Sequence, residues 1–142
     1  AVILYVSAYG YTKQIAQAFE KELTDLGIKT QSYDIIYSSI QDILSAIESS
    51  KLVLVGSPTI NRDALKPVWD VLALICPITT KGKIGFAFGS YGWSGEACPN
   101  IESRLKSLGF AIGSSYLRLL FAPSQNDYDT IANTAKTLAN ML

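Results

Sequence analysis

The sequence predicts an open, doubly wound α/β sheet of five parallel strands in the order 2-1-3-4-5, with helices on both faces. Three observations carry that reading. Strand-like and helix-like patterns alternate five times along 142 residues, the length of one domain. Two strand segments, Val2-Ile3-Leu4-Tyr5-Val6 and Leu52-Val53-Leu54-Val55, are unbroken apolar runs, as in parallel strands buried on both faces. No repeat, low-complexity segment or linker interrupts the alternation.

The elements follow in order. Residues 1–6 form the first strand, and 12–26 a helix with Ile15, Ala16, Phe19 and Leu23 on one stripe, closed by Gly27. Residues 28–34 read as the second strand, and 39–49 as a helix carrying Ile40, Ile43, Leu44 and Ile47 at helical spacing. The third strand occupies 51–56. The helix at 64–75 carries Leu65, Val68, Trp69 and Leu72 on its inner stripe, which places Trp69 in the core. A fourth strand at 83–89, a helix at 96–108, a fifth strand at 110–121 and a last helix at 125–141 complete the pattern. The chain opens at Ala1, inside the first strand and without an initiator Met. A domain excised from a longer polypeptide is expected to look like this, and so is a processed small protein.

Composition excludes several functions. Apolar residues make up 49% of the chain and charged ones 17%, with 12 basic against 12 acidic residues. A nucleic-acid partner calls for a basic surplus, and none is present. No apolar run approaches the roughly 20 residues of a membrane span, and no signal-peptide pattern opens the chain. Cys76 and Cys98 stand far apart with no His anywhere, so a zinc site is not expected. Two isolated thiols fit a reducing, cytoplasmic setting.

With this strand order, strands one, three and four lie side by side, and a ligand belongs beyond their carboxyl ends. The loops leaving them are the most unusual segments of the chain. Loop one, Ser7-Ala8-Tyr9-Gly10-Tyr11-Thr12, runs from a strand into a helix N-terminus, where free backbone N–H groups and the helix dipole favour an anion. Ser7 and Thr12 add hydroxyls, Gly10 allows close approach, and no Lys or Arg is present. A phosphate held there is held by amides and hydroxyls alone; an ordinary capped turn is the alternative. Loop two, Ser57-Pro58-Thr59-Ile60-Asn61-Arg62-Asp63, offers in Thr59 and Asn61 donors and acceptors for the polar edge of a ring, or is simply a polar turn. Loop three, Ser90-Tyr91-Gly92-Trp93-Ser94-Gly95-Glu96, sets two aromatics in a loop tip. Trp93 either stacks on a flat heterocycle or plugs the core or a subunit interface.

A phosphate nest, a ring-edge binder and an aromatic platform on adjacent strands point to flavin mononucleotide (FMN). Without His or clustered carboxylates, the cofactor must carry the chemistry, and the expected task is electron transfer.

The whole chain resembles the flavodoxin fold. The strings Ser-Pro-Thr-Ile-Asn (57–61) and Phe-Gly-Ser-Tyr-Gly-Trp-Ser-Gly-Glu-Ala (88–97) resemble the flavodoxin-like domain of flavodiiron proteins, also called A-type flavoproteins. The resemblance implies FMN bound by Ser7, Tyr9, Gly10 and Thr12 at the phosphate, Thr59 and Asn61 in the middle loop, and Ser90, Tyr91, Gly92, Trp93 and Gly95 at the ring. It implies electron delivery to a diiron centre in a metallo-β-lactamase-like domain that reduces oxygen to water or nitric oxide to nitrous oxide. This chain, lacking His, does not hold that centre. Diflavin members carry a further NAD(P)H-fed flavin reductase domain as donor; other members imply a small redox protein. A free-standing short flavodoxin, an FMN-dependent NAD(P)H:quinone reductase and a flavin-free assembly module remain the alternatives. One departure stands out: Tyr11 occupies a position where flavodoxin loops usually have Asn.

Charge gives one more expectation. Arg62, Lys66, Lys81 and Lys83 lie in or near the candidate loops, against Asp63 and Glu96. Nearby cations stabilise a reduced, anionic flavin, so its potential is expected to be less negative than in strongly acidic flavodoxins. The domain is likewise expected to meet partners through an apolar face rather than by charge steering.

Overall fold

Alternation along the buried strands sorts their side chains onto two helical layers. The computed structural model describes residues 1–142. Strands β1 (Val2–Tyr5), β3 (Leu52–Gly56) and β4 (Ile84–Tyr91) form the sheet centre, with β2 (Gln31–Asp34) beside β1. On one face Val2, Leu4, Val53, Val55 and Ala87 pack against α2 (Ile40–Ser49), α3 (Lys66–Leu72) and α5 (Ala97–Ser107). On the other, Ile3, Leu52, Leu54, Phe86 and Phe88 pack against α1 (Tyr11–Asp25) and α6 (Gln125–Ala139). All strand pairs are parallel, in the order β2-β1-β3-β4-β5. The predicted architecture is the observed one.

Three expected elements differ. The second strand begins at Gln31, not residue 28, because its partner begins at Val2 and the register sets Val2 opposite Gln31. The helix expected over 64–75 shrinks to α3. Leu65 is extended and Pro67 enters at the first turn, while Pro77 starts a separate short helix, α4 (Pro77–Thr80). Trp69 is half-buried and packs against the core from its edge.

The fifth strand, expected as one run over 110–121, is broken into β5 (Ala111–Ile112) and β6 (Leu117–Leu120). Both pair with β4, at Ile84–Gly85 and Phe88–Tyr91 respectively. Between them the chain uses two residues more than β4 does, and Gly113-Ser114-Ser115 loops out to absorb them. The break lets β6 run alongside the carboxyl end of β4, where the functional loops lie.

Close approach of β3 and β4 depends on two missing side chains. A Cβ on Gly56 would enter the Phe88 ring, and one on Gly89 would land on the Ser57 carbonyl oxygen. Gly89→Ala is therefore expected to lower unfolding free energy by about 2 kcal/mol, since the obstructing atom is backbone and cannot rotate away. Urea denaturation monitored by far-UV circular dichroism measures the loss.

Candidate functional site

Loop one turns on Gly10, whose φ of +87° is free of strain only for glycine, and which is the N-cap of α1. Ser7 Oγ accepts the amides of Gly10 at 3.0 Å and Lys13 at 3.4 Å, folding the loop over the first helical turn. The amides of Tyr11 and Thr12, the first two of the helix, have no protein acceptor. Space beside Gly10 is open, with nothing within 4 Å of a Cβ built there. Unclaimed donors at a 15-residue helix N-terminus make an anion cradle. The Thr12 hydroxyl has another partner: it is buried against Ser90 Oγ, 2.8 Å away.

Loop two is tied down along its whole length. Ser57 is fully buried; its hydroxyl donates to the Pro58 carbonyl at 2.8 Å and accepts the Leu65 amide at 3.0 Å. It therefore closes the base of the loop and does not face the crevice. The Thr59 amide donates to the Ser90 carbonyl at 3.1 Å, and Thr59 Oγ1 accepts the Ala97 amide, capping α5. Ile60 and Asp63 exchange backbone hydrogen bonds of 3.0 and 3.2 Å across a two-residue turn. Its central residues, Asn61 and Arg62, have φ of 53° and 62°, a conformation Asn tolerates better than Arg.

Asp63, not predicted as a site residue, is the anchor of that turn. Its carboxylate accepts the Ala64 amide at 2.8 Å, Asn100 Nδ2 at 3.1 Å and Trp69 Nε1 at 3.1 Å, joining loop two to α3 and α5. A sequence signal existed: Asn-Arg-Asp is turn chemistry, and a half-buried Trp needs an acceptor.

Loop three is held from β6. Arg118 lies over the rings of Tyr91 and Tyr116, 5.8 and 5.6 Å from their centroids, and donates to the Gly95 carbonyl at 3.2 Å. Phe121, with φ of 54°, donates its amide to the Tyr91 carbonyl at 2.9 Å and sets its ring against Gly92, where a Cβ would clash. Trp93 does not plug the core. It is 99% exposed, outside both the crevice and the core. Ser94 and the buried Gly95 close the loop beside it.

These loops enclose a crevice of about 290 Å³ lined by Tyr9, Tyr11, Pro58, Thr59, Ile60, Ser90, Tyr91, Gly92 and Phe121. Eight of the nine lie on the predicted loops. Phe121 was read as the end of the fifth strand, and only the pairing of β6 with β4 brings it here. Ser7, Ala8, Gly10, Thr12, Ser57, Asn61, Ser94 and Gly95 frame the crevice without lining it.

The expected ring of cations is not assembled. Lys83 donates to the carbonyls of Glu48 and Ser50 at the opposite end of the sheet, where Lys81 also lies. Lys66 pairs with Asp70 at 2.9 Å. Arg62 remains on loop two, and Arg118 joins it from β6.

No three His, Cys, Asp or Glu side chains gather into a metal-binding group, and no helix is long and apolar enough to cross a membrane. A family model described as Flavodoxin matches residues 3–135. The type A flavoprotein fprA of Rhodobacter capsulatus is 38% identical over 142 residues, covering 99% of this chain and 33% of that protein. The flavo-diiron protein FprA2 of Clostridium acetobutylicum is 40% identical over 129 residues, covering 88% of this chain and 32% of that protein. The solved structure of rubredoxin oxygen:oxidoreductase from Desulfovibrio gigas superimposes with a TM-score of 0.93 at 30% identity, over 99% of this chain and 35% of that one. The chain spans between 21% and 36% of the length of these and other curated relatives it matches.

Two thiols make the packing around α5 testable. Cys98 sits beneath the loops, and burial pushes its thiol up to about 12, overriding the attraction of Arg118. Exposed Cys76 alone is expected to react with a thiol reagent at pH 8 in the native chain, and both in urea. The unfolded Cys98 ionises near its ordinary 9.0 while the folded thiol stays protonated. The stability that this neutral thiol contributes is therefore complete below pH 9 and is lost as pH rises towards 12.

Asp63→Ala leaves the Trp69 indole N–H and the Asn100 amide without their acceptor. A loss of about 1–2 kcal/mol in unfolding free energy is expected, measured by urea denaturation.

Proposed function

The chain belongs to the flavodoxin family, and on that premise we propose that it is the FMN-binding, electron-delivering domain of a flavodiiron protein. The observation that carries the reading is the pairing of an open amide cradle at α1 with an aromatic-walled crevice next to it. Bound FMN would supply one- and two-electron transfer, which no side chain of this protein provides.

The residues divide that task between them. The amides of Tyr11 and Thr12, with the Ser7 hydroxyl, would hold the phosphate without a cationic side chain in loop one. Tyr9, Tyr11, Tyr91 and Phe121 would wall the ring and keep water from its faces. Thr59, Asn61 and the amides of loop three, from Ser90 to Gly95, would meet its polar edge. Asp63 and Arg118 touch none of it; they hold loops two and three at a fixed spacing.

Electron acceptance belongs elsewhere. With no His, the chain offers no diiron site, and the reading assigns oxygen or nitric oxide reduction to a metallo-β-lactamase-like domain outside these 142 residues. Two thirds of each matched relative lies beyond the region of similarity, which supports a longer polypeptide. Either an NAD(P)H-fed flavin reductase domain or a small redox protein would supply electrons in the cytoplasm. Exposed Tyr9, Ile60, Trp93 and Phe121 around the crevice mouth support an apolar docking face for these partners.

Titration of the 142-residue chain against FMN tests the reading. Flavin fluorescence is expected to quench at one equivalent with micromolar or tighter affinity, and absence of quenching at micromolar protein overturns it. Phe121→Ala is expected to weaken binding about tenfold, the loss of roughly one aromatic stack.

A further inference from the structure

We propose that the Thr12–Ser90 hydroxyl pair is a strut between the phosphate and ring halves of the crevice, with Ser90 the positioning residue that aims Thr12 at the phosphate. The inference rests on the FMN reading above and goes beyond it.

Thr12 is the second residue of α1, on the phosphate side, and Ser90 the seventh of the eight residues of β4, on the ring side. They are 78 positions apart in the chain, with Oγ atoms 2.8 Å apart. Both are more than nine-tenths buried, at 1% and 6% exposure. Strand β3 lies between β1 and β4, so no ladder hydrogen bond can join loop one to loop three. Loop two has its own tie to Ser90 through the Thr59 amide, whereas loop one has only this pair.

The pair also has chemistry to spare. Two hydroxyls carry two protons, and their mutual bond uses one. Neither side chain makes another hydrogen bond, so one buried donor is unspent. If Thr12 donates, the free proton is on Ser90 and faces the ring. If Ser90 donates, the free proton is on Thr12, beside the unclaimed helix amides. The second arrangement completes the anion cradle with a directed hydroxyl, and a phosphate arriving at the helix N-terminus selects it.

Riboflavin has the ring of FMN without its phosphate, so a comparison of the two flavins reads the strut directly. In fluorescence-quenching titrations the wild-type chain is expected to prefer FMN over riboflavin. Ser90→Ala should cut that preference about tenfold, a ratio in which any change at the ring, common to both flavins, cancels. Ser90→Thr, which keeps the hydroxyl, should retain the preference. Should Ser90→Ala fail to fold by circular dichroism, the near-isosteric and weakly hydrogen-bonding Ser90→Cys replaces it. Equal loss for both flavins would overturn the inference by making Ser90 a ring contact, and an unchanged preference would overturn it outright. A wild-type chain that binds neither flavin fails the FMN reading itself, a result distinct from either of these.

Discussion

The site depends on one continuation: the β3–β4 hydrogen-bond ladder runs past the end of β3 into loop two, along the last residues of β4. The Ser57 amide reaches the Phe88 carbonyl at 3.2 Å, and two residues later the Thr59 amide reaches the Ser90 carbonyl at 3.1 Å. Loop two is therefore a registered extension of the sheet, laid beside the end of β4 from which loop three leaves. That register requires Gly89 to be bare, because the Ser57 carbonyl occupies the place of its Cβ. Everything above it inherits the spacing: Thr59 caps α5, Asp63 ties the turn to α3 and α5, and Arg118 holds Gly95 from β6.

The strain of this arrangement collects at its rim. The three non-glycine residues with positive φ are Asn61, Arg62 and Phe121, two in the loop-two turn and one lining the crevice. Each costs on the order of 1 kcal/mol, and each is held by paired backbone hydrogen bonds or a packed ring. A fold with a doubly buried sheet at its centre carries that cost easily. The strain in turn fixes where Ile60 and the Phe121 ring stand.

How far the sequence could be read follows from the range of each interaction. Buried parallel strands are legible because two apolar layers leave unbroken apolar runs, as in residues 2–6 and 52–55. Helices α1, α2, α5 and α6 are legible because their buried stripes repeat at helical spacing. The loops of strands one, three and four are legible because strand order alone places them together. What escaped is what two distant segments decide jointly. The break in the fifth strand depends on pairing with both halves of β4, and it alone brings Phe121 to the crevice. The Thr12–Ser90 bond crosses a strand and leaves no local pattern. The Phe121 ring against Gly92 leaves no local pattern either, and Trp93 beside it is exposed rather than packed in the core.

Charge was misread for a related reason. Lys81 and Lys83 are close in sequence to the fourth strand, but to its start, and in a parallel sheet the start of a strand lies a full strand length from the site. Net neutrality is a property of the whole chain and says nothing about the local field. That field comes from Arg62 and Arg118 set against Asp63, whose carboxylate accepts only neutral N–H donors, and Glu96 at the start of α5. Two cations and two anions, with one of the cations over the rings of Tyr91 and Tyr116, make a weak field. The mouth is bounded by Tyr9, Ile60, Trp93 and Phe121, all exposed. A partner docking there, as proposed, would have apolar area and shape to work with and little charge, and would gain affinity by covering these side chains instead of by pairing with Lys or Glu.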